Sequence, residues 1–329
     1  MPLSALSYAA LGLLALVGAA AIAIIFMLAW PVRPPPTLAS IHAGAKTIDE
    51  TGAPDLSRYQ ARDGTWLADR VYPAQNGSGD KIAILAHGSS ASAIEMNAVA
   101  KALAGAGVTA VALDMRGHGA SGTRGDITYP GQLDDDLADL VANLRKARPA
   151  ARFSLIGHSA GGGFALRIAG SKLGDTFDRF VLLAPYLGHS APTNRPAEGP
   201  SLWASPDLPR IFATLALEKL GIDWPQSLPA VAFANAPEAK MAVTNQYSFR
   251  LMGNYTAPSE WQDAFAHAKG RIIVIAGADD ELMDADAYKR ELPPLGVQPT
   301  ILPGVDHIGI VYRPEAIKAI LAAVAEPGA

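Results

Sequence analysis

The run Arg152 to Gly157 (RFSLIG) passes without a break into GHSAGGGFALRIAG, and no other feature of this 329-residue chain constrains its fold as strongly. A short apolar run reads as a buried strand, and the spacing of Phe164, Leu166 and Ile168 with Ala165 reads as a helix. Between them stands Gly157-His158-Ser159-Ala160-Gly161, a G-x-S-x-G pentapeptide at a strand-to-helix turn. Such a turn holds its serine in a strained conformation with Oγ exposed. The flanking backbones approach too closely for a Cβ, which calls for glycine at 157 and 161. The helix that follows aims its N-terminus at the serine, so the Ala160 amide and the helix dipole can stabilise an oxyanion. A chance glycine-rich turn is the competing explanation in a chain with 31 glycines, and the remaining segments must decide.

Those segments alternate between short apolar runs and amphipathic stretches, the pattern of a mostly parallel sheet covered by helices on both faces. Strands are expected at 65–72, 81–86, 108–114, 152–157, 179–184, 271–276 and 298–302, and helices at 93–106, 133–147 and 314–325. The core is thus expected in two parts, 56–188 and 271–329. Residues 189–270 break the alternation: Trp203, Phe212, Trp224, Phe233, Tyr247, Phe249, Tyr255 and Trp261 fall among helical-looking segments, which reads as an inserted cap or lid.

Residues 1–32 carry no charged side chain, and 5–30 is almost wholly apolar, longer than the roughly 20 residues a membrane helix needs. Tyr8 and Trp30 would lie about 33 Å apart along such a helix, near the two interfaces. A cleaved signal peptide is the alternative, but a basic n-region is missing and the apolar run exceeds the usual h-region of about 7–15 residues. An uncleaved single-pass anchor is therefore expected. Arg33 and Lys46 follow the span and no basic residue precedes it, a weak pointer to a cytoplasmic catalytic domain. Pro31, Pro34, Pro35 and Pro36 cannot continue a helix, so 31–55 reads as a linker.

A serine hydroxyl needs a neutral imidazole to take its proton, and that imidazole needs a carboxylate to fix its tautomer. The expected chain order is Ser, acid, His. His307, in GVDHIG after the last expected strand, stands where a loop can deliver an imidazole to the strand C-terminal edge. The other six histidines fit less well: His42 lies in the linker, His87 and His158 in tight turns, His118 in a glycine-flanked loop, and His189 and His267 at the cap boundaries. Asp279, Asp280 and Glu281 follow the strand RIIVIA. At most one of them can face the histidine; Asp280 is preferred, with Asp279 in reserve, and Asp306 is taken as structural. His87-Gly88-Ser89-Ser90 follows the strand KIAILA at the same edge, which makes the Ser89 amide the second oxyanion donor.

With LAHGSSAS (85–92), ALDMRGHGASG (112–122), LIGHSAGG (155–162), IAGADDELM (275–283) and GVDHIG (304–309) in this order, the chain resembles the serine branch of the α/β-hydrolase superfamily. Within it the chain is similar to bacterial lysophospholipase, monoacylglycerol lipase and serine aminopeptidase-like members. The resemblance covers 81–188 and 271–312. It implies an α/β-hydrolase fold with Ser159 as nucleophile, Asp280 as acid, His307 as base, and the Ser89 and Ala160 amides as oxyanion hole. The family's acid usually stands three residues after the glycine, which points to Asp280, although the doublet with Asp279 leaves both in play. His118 falls in what the family pattern makes a structural loop.

The expected activity is hydrolysis of carboxylic esters, lipid-derived or acyl, through an acyl-enzyme, with no metal or cofactor. An aromatic-rich cap and an anchor suit acyl chains better than peptides. An aminopeptidase or amidase would use the same triad but would need acidic residues for a substrate ammonium, for which Glu198, Glu218, Glu238 and Glu260 of the cap are candidates. A non-catalytic binding protein would keep the fold. A haloalkane dehalogenase is disfavoured, since that chemistry places an aspartate where Ser159 stands. A net charge of −4 without a basic block makes nucleic acid an improbable partner, and the absence of cysteine excludes a thiol nucleophile and zinc–thiolate sites.

Overall fold

A computed structural model describes residues 4–77, 79–195, 202–236 and 242–325. It opens with helix α1 (Ala5–Ala29), capped by the Ser4 hydroxyl, none of whose residues is buried. At 1.5 Å per residue α1 is about 37 Å long, and it is the one described helix long and apolar enough to cross a membrane. The proline-rich stretch then gives way to a short helix α2 (Ala39–Lys46), so the segment expected as an extended linker is partly helical and packed. Ile41 and Gly44 of α2 are buried, and a Cβ at Gly44 would stand only 2.9 Å from Ile308 Cβ.

The body is an eight-stranded sheet built from β1 (Ser57–Gln60), β2 (Trp66–Tyr72), β3 (Lys81–Ala86), β4 (Thr109–Leu113), β5 (Arg152–His158), β6 (Phe177–Leu183), β10 (Ile272–Gly277) and β11 (Thr300–Leu302). Its order is β1-β2-β4-β3-β5-β6-β10-β11. β1 and β2 pair antiparallel, β2 joins β4 antiparallel, and all other neighbours are parallel. β1 was not expected from the sequence; three of its four residues are exposed at the sheet edge, where no apolar run is needed. The inner strands are buried almost throughout, as the continuous apolar runs KIAILA and TAVAL require when both sheet faces are covered. The covering helices are α3 (Asn97–Gly105), α4 (Gln132–Ala147), α5 (Ala160–Ala169), α9 (Ala285–Glu291) and α10 (Pro314–Ala325).

Between β6 and β10 lies the insertion. It carries β7 (Ala204–Pro206), α6 (Leu208–Glu218), β8 (Pro229–Phe233), β9 (Gln246–Ser248), α7 (Phe249–Asn254) and α8 (Trp261–His267). β7, β8 and β9 form a separate antiparallel sheet, so the insertion is mixed rather than purely helical. The short runs ASP, PAVAF and QYS are too brief for periodicity to reveal them. Helix α6 touches α1, and the buried Arg210 guanidinium donates to the Trp30 carbonyl at the end of α1, satisfying a group that a helix C-terminus leaves open.

This topology fixes where chemistry can happen. The chain leaves β3 to one side for β4 and returns on the other side as β5. The strand order therefore reverses between β3 and β5, and the crevice at their carboxyl ends is a natural site.

Candidate active site

The sequence elements singled out above meet at that crevice. Ser159 follows β5 with φ 52° and ψ −115°, a strained conformation for a residue with a side chain. A Cβ on Gly157 would collide with the Gly161 carbonyl, and one on Gly161 would collide with the carbonyls of Ala86 and His87, so α5 can start against β5 and the end of β3 only with glycine at both places. The turn is braced by the Ser159 amide donating to the Leu183 carbonyl (2.9 Å) and the Tyr186 amide donating to the Ser159 carbonyl (2.9 Å). Besides Ser159, the other non-glycine residues with positive φ among those described are Ser90 after β3 and Ala184 after β6, so backbone strain concentrates at this one edge. The Ser159 hydroxyl itself makes no hydrogen bond among the described residues, whereas catalytic hydrogen bonds often tighten only with substrate bound.

The loop after β10 places Asp280 in the interior, 1% exposed, and its Oδ2 accepts from His307 Nδ1 at 2.8 Å. Its Oδ1 accepts from the amides of Leu282 (2.8 Å) and Met283 (2.7 Å), which orients the carboxylate. Asp279 faces solvent, and its amide is held by the Val305 carbonyl. Asp280 is thus the carboxylate brought to His307. Asp306 accepts from the Gly309 amide at 2.6 Å, a turn-forming contact.

Burial pulls the His307 imidazole down, but the Asp280 carboxylate and its hydrogen bond, with Glu281 and Glu95 behind them, outweigh it and hold the group above its ordinary value. Burial conversely pushes Asp280 up, and the facing imidazole together with the two amides holds it below the usual carboxylate range. With Nδ1 committed to Asp280, Nε2 is the nitrogen left to exchange a proton.

The oxyanion candidates are separated by one hydrogen bond. The Ser90 amide donates to Tyr247 Oη (2.6 Å), which in turn donates to His118 Nε2 (2.6 Å), and His118 Nδ1 donates to the Arg116 carbonyl (3.2 Å). The neighbouring Ser89 amide has no acceptor among the described residues, and the Ala160 amide begins α5 without an intrahelical partner. Trp203 of the insertion donates its indole N–H to Ser89 Oγ at 2.7 Å. His118 is completely enclosed, and burial holds its imidazole well below its ordinary value, which suits a structural rather than a proton-carrying role.

Sequence reasoning missed one component. Glu95, buried between β3 and α3, accepts from the Gly88 amide at 2.5 Å and faces His158 Nδ1 at 3.2 Å. His158 Nε2 donates to the His307 carbonyl at 3.1 Å, and the two imidazole rings lie 4.8 Å apart. One carboxylate therefore ties the oxyanion loop, the serine turn and the histidine loop together. Burial pushes Glu95 up, but His158 and His87 outweigh this and hold it below the usual range. Its sequence neighbourhood offers no sign of this role, because His158 lies 63 positions from Glu95 and His307 a further 149 positions along the chain.

Beside the crevice, between α2, the β3 loop and the insertion, lies a cavity of about 630 Å³ with a mainly apolar lining. Of the acidic residues considered for an ammonium group, Glu198 and Glu238 lie outside the described residues. Glu218 accepts from Gln226 at the end of α6 and Glu260 precedes α8, and neither borders the cavity, whose acidic lining residues are Glu50 and Glu95. No group of three or more histidine, aspartate or glutamate side chains placed to hold a metal occurs among the described residues.

Residues 77–307 match the sequence family described as serine aminopeptidase, S33. Among solved structures, a soluble variant of monoglyceride lipase from Saccharomyces cerevisiae, bound to a substrate analogue, superposes with a TM-score of 0.61 at 17% identity, covering 84% of this chain and 96% of that one. An enol-lactonase from Burkholderia xenovorans LB400 gives 0.57 at 20% identity, covering 82% and 100%. A membrane phospholipase A described as a bacterial virulence factor gives 0.54 at 17% identity, covering 97% of this chain and 99% of that one. At these identities the likeness to the three structures is one of fold.

Proposed function

Since the chain belongs to the serine aminopeptidase S33 family of α/β-hydrolases, we propose that it is a membrane-anchored serine hydrolase cleaving carboxylic esters of acyl or lipid-derived type. The observation that carries this reading is the buried Asp280–His307 pair at 2.8 Å, on a loop held by His158 beside the strained Ser159 turn. Ser159 Oγ attacks the carbonyl carbon as His307 Nε2 takes its proton. The Ser89 and Ala160 amides receive the developing oxyanion, and His307 returns the proton to the leaving alkoxide. Water activated by the same imidazole then attacks the acyl-enzyme and releases the acid.

The ester preference is supported by the apolar lining of the cavity and by what lies beside α1. Leu208, Phe212 and Leu215, spaced on one face of α6, are exposed, as are Leu220, Ile222 and Trp224 just beyond. A contiguous apolar face next to a 25-residue apolar helix suits a surface resting on lipid. Arg33 and Lys46 favour a cytoplasmic catalytic domain, and a C-terminal reporter fusion active only outside the cytoplasm would reverse that assignment.

Fluorophosphonate labelling of the detergent-solubilised full chain tests the reaction. Wild type should label and turn over short acyl esters, while Ser159→Ala and His307→Ala should lose both, with turnover down by about 10⁶-fold for the serine. A folded wild type that neither labels nor hydrolyses any ester or amide would leave a ligand-binding role. Turnover of amino-acid anilides in preference to esters would favour the aminopeptidase alternative that the family's description suggests.

A further inference from the structure

Resting on the ester-hydrolase reading, we propose that α2 is the outer wall of an acyl-chain pocket and sets the chain length the protein accepts. The cavity of about 630 Å³ is bounded on one side by Ile41 of α2 and by Ile48 just after it, and also by Trp203 and Val243 of the insertion. Ser89 and Ile308 also line it. The first carries the proposed oxyanion amide, and the second adjoins the proposed base. A recess of this size falls within the range of about 300–1,000 Å³ that holds small-molecule ligands. Its mainly apolar lining, with Lys46 and Glu50 also bordering it, comes up to the Ser89 loop beside the proposed nucleophile and matches an acyl chain whose ester group lies next to Ser89.

The wall is well fixed. Gly44 lies flush against Ile308, and the Leu38 amide reaches the Ala234 carbonyl of the insertion at 3.4 Å. α2 therefore bridges the histidine loop and the insertion. It also lies ahead of residues 77–307, the part of the chain matched by the family, so this wall is supplied by the segment that joins the body to α1. α1 ends at Ala29 and α2 begins at Ala39, which places the pocket wall within a short chain distance of the proposed membrane surface. Selectivity for chain length would then reside in residues that the shared catalytic core does not contain.

Two measurements on the full chain test this. The first is the ratio of kcat/KM for a dodecanoyl ester to that for an acetyl ester. Ile41→Trp and Ile48→Trp narrow the pocket and should lower that ratio at least about tenfold. An equal change for both esters, or an unchanged ratio, overturns the inference. Should the tryptophan variants lose fluorophosphonate labelling, Ile48→Ala reads the same wall in the opposite sense: preference should move to longer chains, and an unmoved preference again overturns it.

The second is photolabelling of the Ser159→Ala variant with a diazirine-bearing dodecanoic acid, followed by peptide mapping. Label on residues 39–48 together with Trp203 or Val243 supports the pocket, and label confined to α1 overturns it. This readout does not depend on turnover. A wild type inert to fluorophosphonate and to acetyl ester would end the hydrolase reading, while label on α2 would still identify a fatty-acid site.

Discussion

The sheet edge around Ser159 and the face formed by α1 and α6 are built on opposite principles. At the sheet edge, buried polar groups meet hydrogen-bond partners: Asp280 with His307, Glu95 with His158 and Gly88, Tyr247 with Ser90 and His118. Geometry there is set by directional bonds in a low-dielectric interior, where an unmatched partner is costly. On the other face, large apolar side chains such as Phe212, Leu220 and Trp224 stand 60–75% exposed and few directional contacts occur, Arg210 with Trp30 being an exception. The first region holds atoms in place; the second, in the proposed function, meets an apolar medium or chain. Substitutions should accordingly act on chemistry in the one and on substrate access in the other.

The largest expected contrast separates two adjacent aspartates. Asp280→Asn keeps the shape but removes the charge that fixes the His307 tautomer, so kcat should fall by about 10⁴-fold. Asp279→Asn, at a solvent-facing carboxylate, should leave kcat within about twofold. Steady-state turnover of a butyryl ester measures both, and comparable losses would dissolve the assignment of the acid.

Glu95→Gln sharpens the comparison within the buried network. The amide preserves the volume and an acceptor for Gly88, but removes a negative charge that faces His307 together with Asp280 and Glu281, with His158 between. As the proposed base, His307 must be neutral to act, so the rate should fall as pH drops through its pKa. In the wild type that limb should lie above the ordinary histidine value of about 6.5. In Glu95→Gln it should move to lower pH, with kcat at neutral pH reduced by about tenfold or more because three loops lose a common tether. A purely structural role would reduce kcat without moving the limb, and a pH profile of kcat/KM distinguishes the two.

The smallest effect is expected on the apolar face. Phe212→Asp replaces an exposed aromatic side chain on the proposed lipid-facing surface with a charge. Turnover of a long-chain ester presented in vesicles should fall several-fold relative to a soluble ester measured on the same preparation. An unchanged ratio would remove α6 from the membrane surface.

How much of this was legible in the sequence differs by element. The strands KIAILA, TAVAL and RIIVIA and the helix 133–147 were, because burial on both sheet faces or on one helix face imposes a period on neighbouring residues. The serine turn was too, because its glycines are demanded by the backbone itself. The β7-β8-β9 sheet was not, since runs of three to five residues carry no periodicity. Helix α2 was hidden by the prolines before it.

The α/β alternation, the apolar N-terminal helix, the strained Ser159 turn, and the order of nucleophile, acid and base candidates are all written into short stretches of the chain. These follow from sterics and periodicities acting over a few residues. Only the tertiary structure decided that Asp280 rather than Asp279 meets His307, that Glu95 joins three loops, and that α2 closes a cavity. Each depends on segments far apart in the chain converging at one sheet edge, 27 positions for Asp280 and His307 and 63 for Glu95 and His158, a distance over which local sequence preferences carry no information.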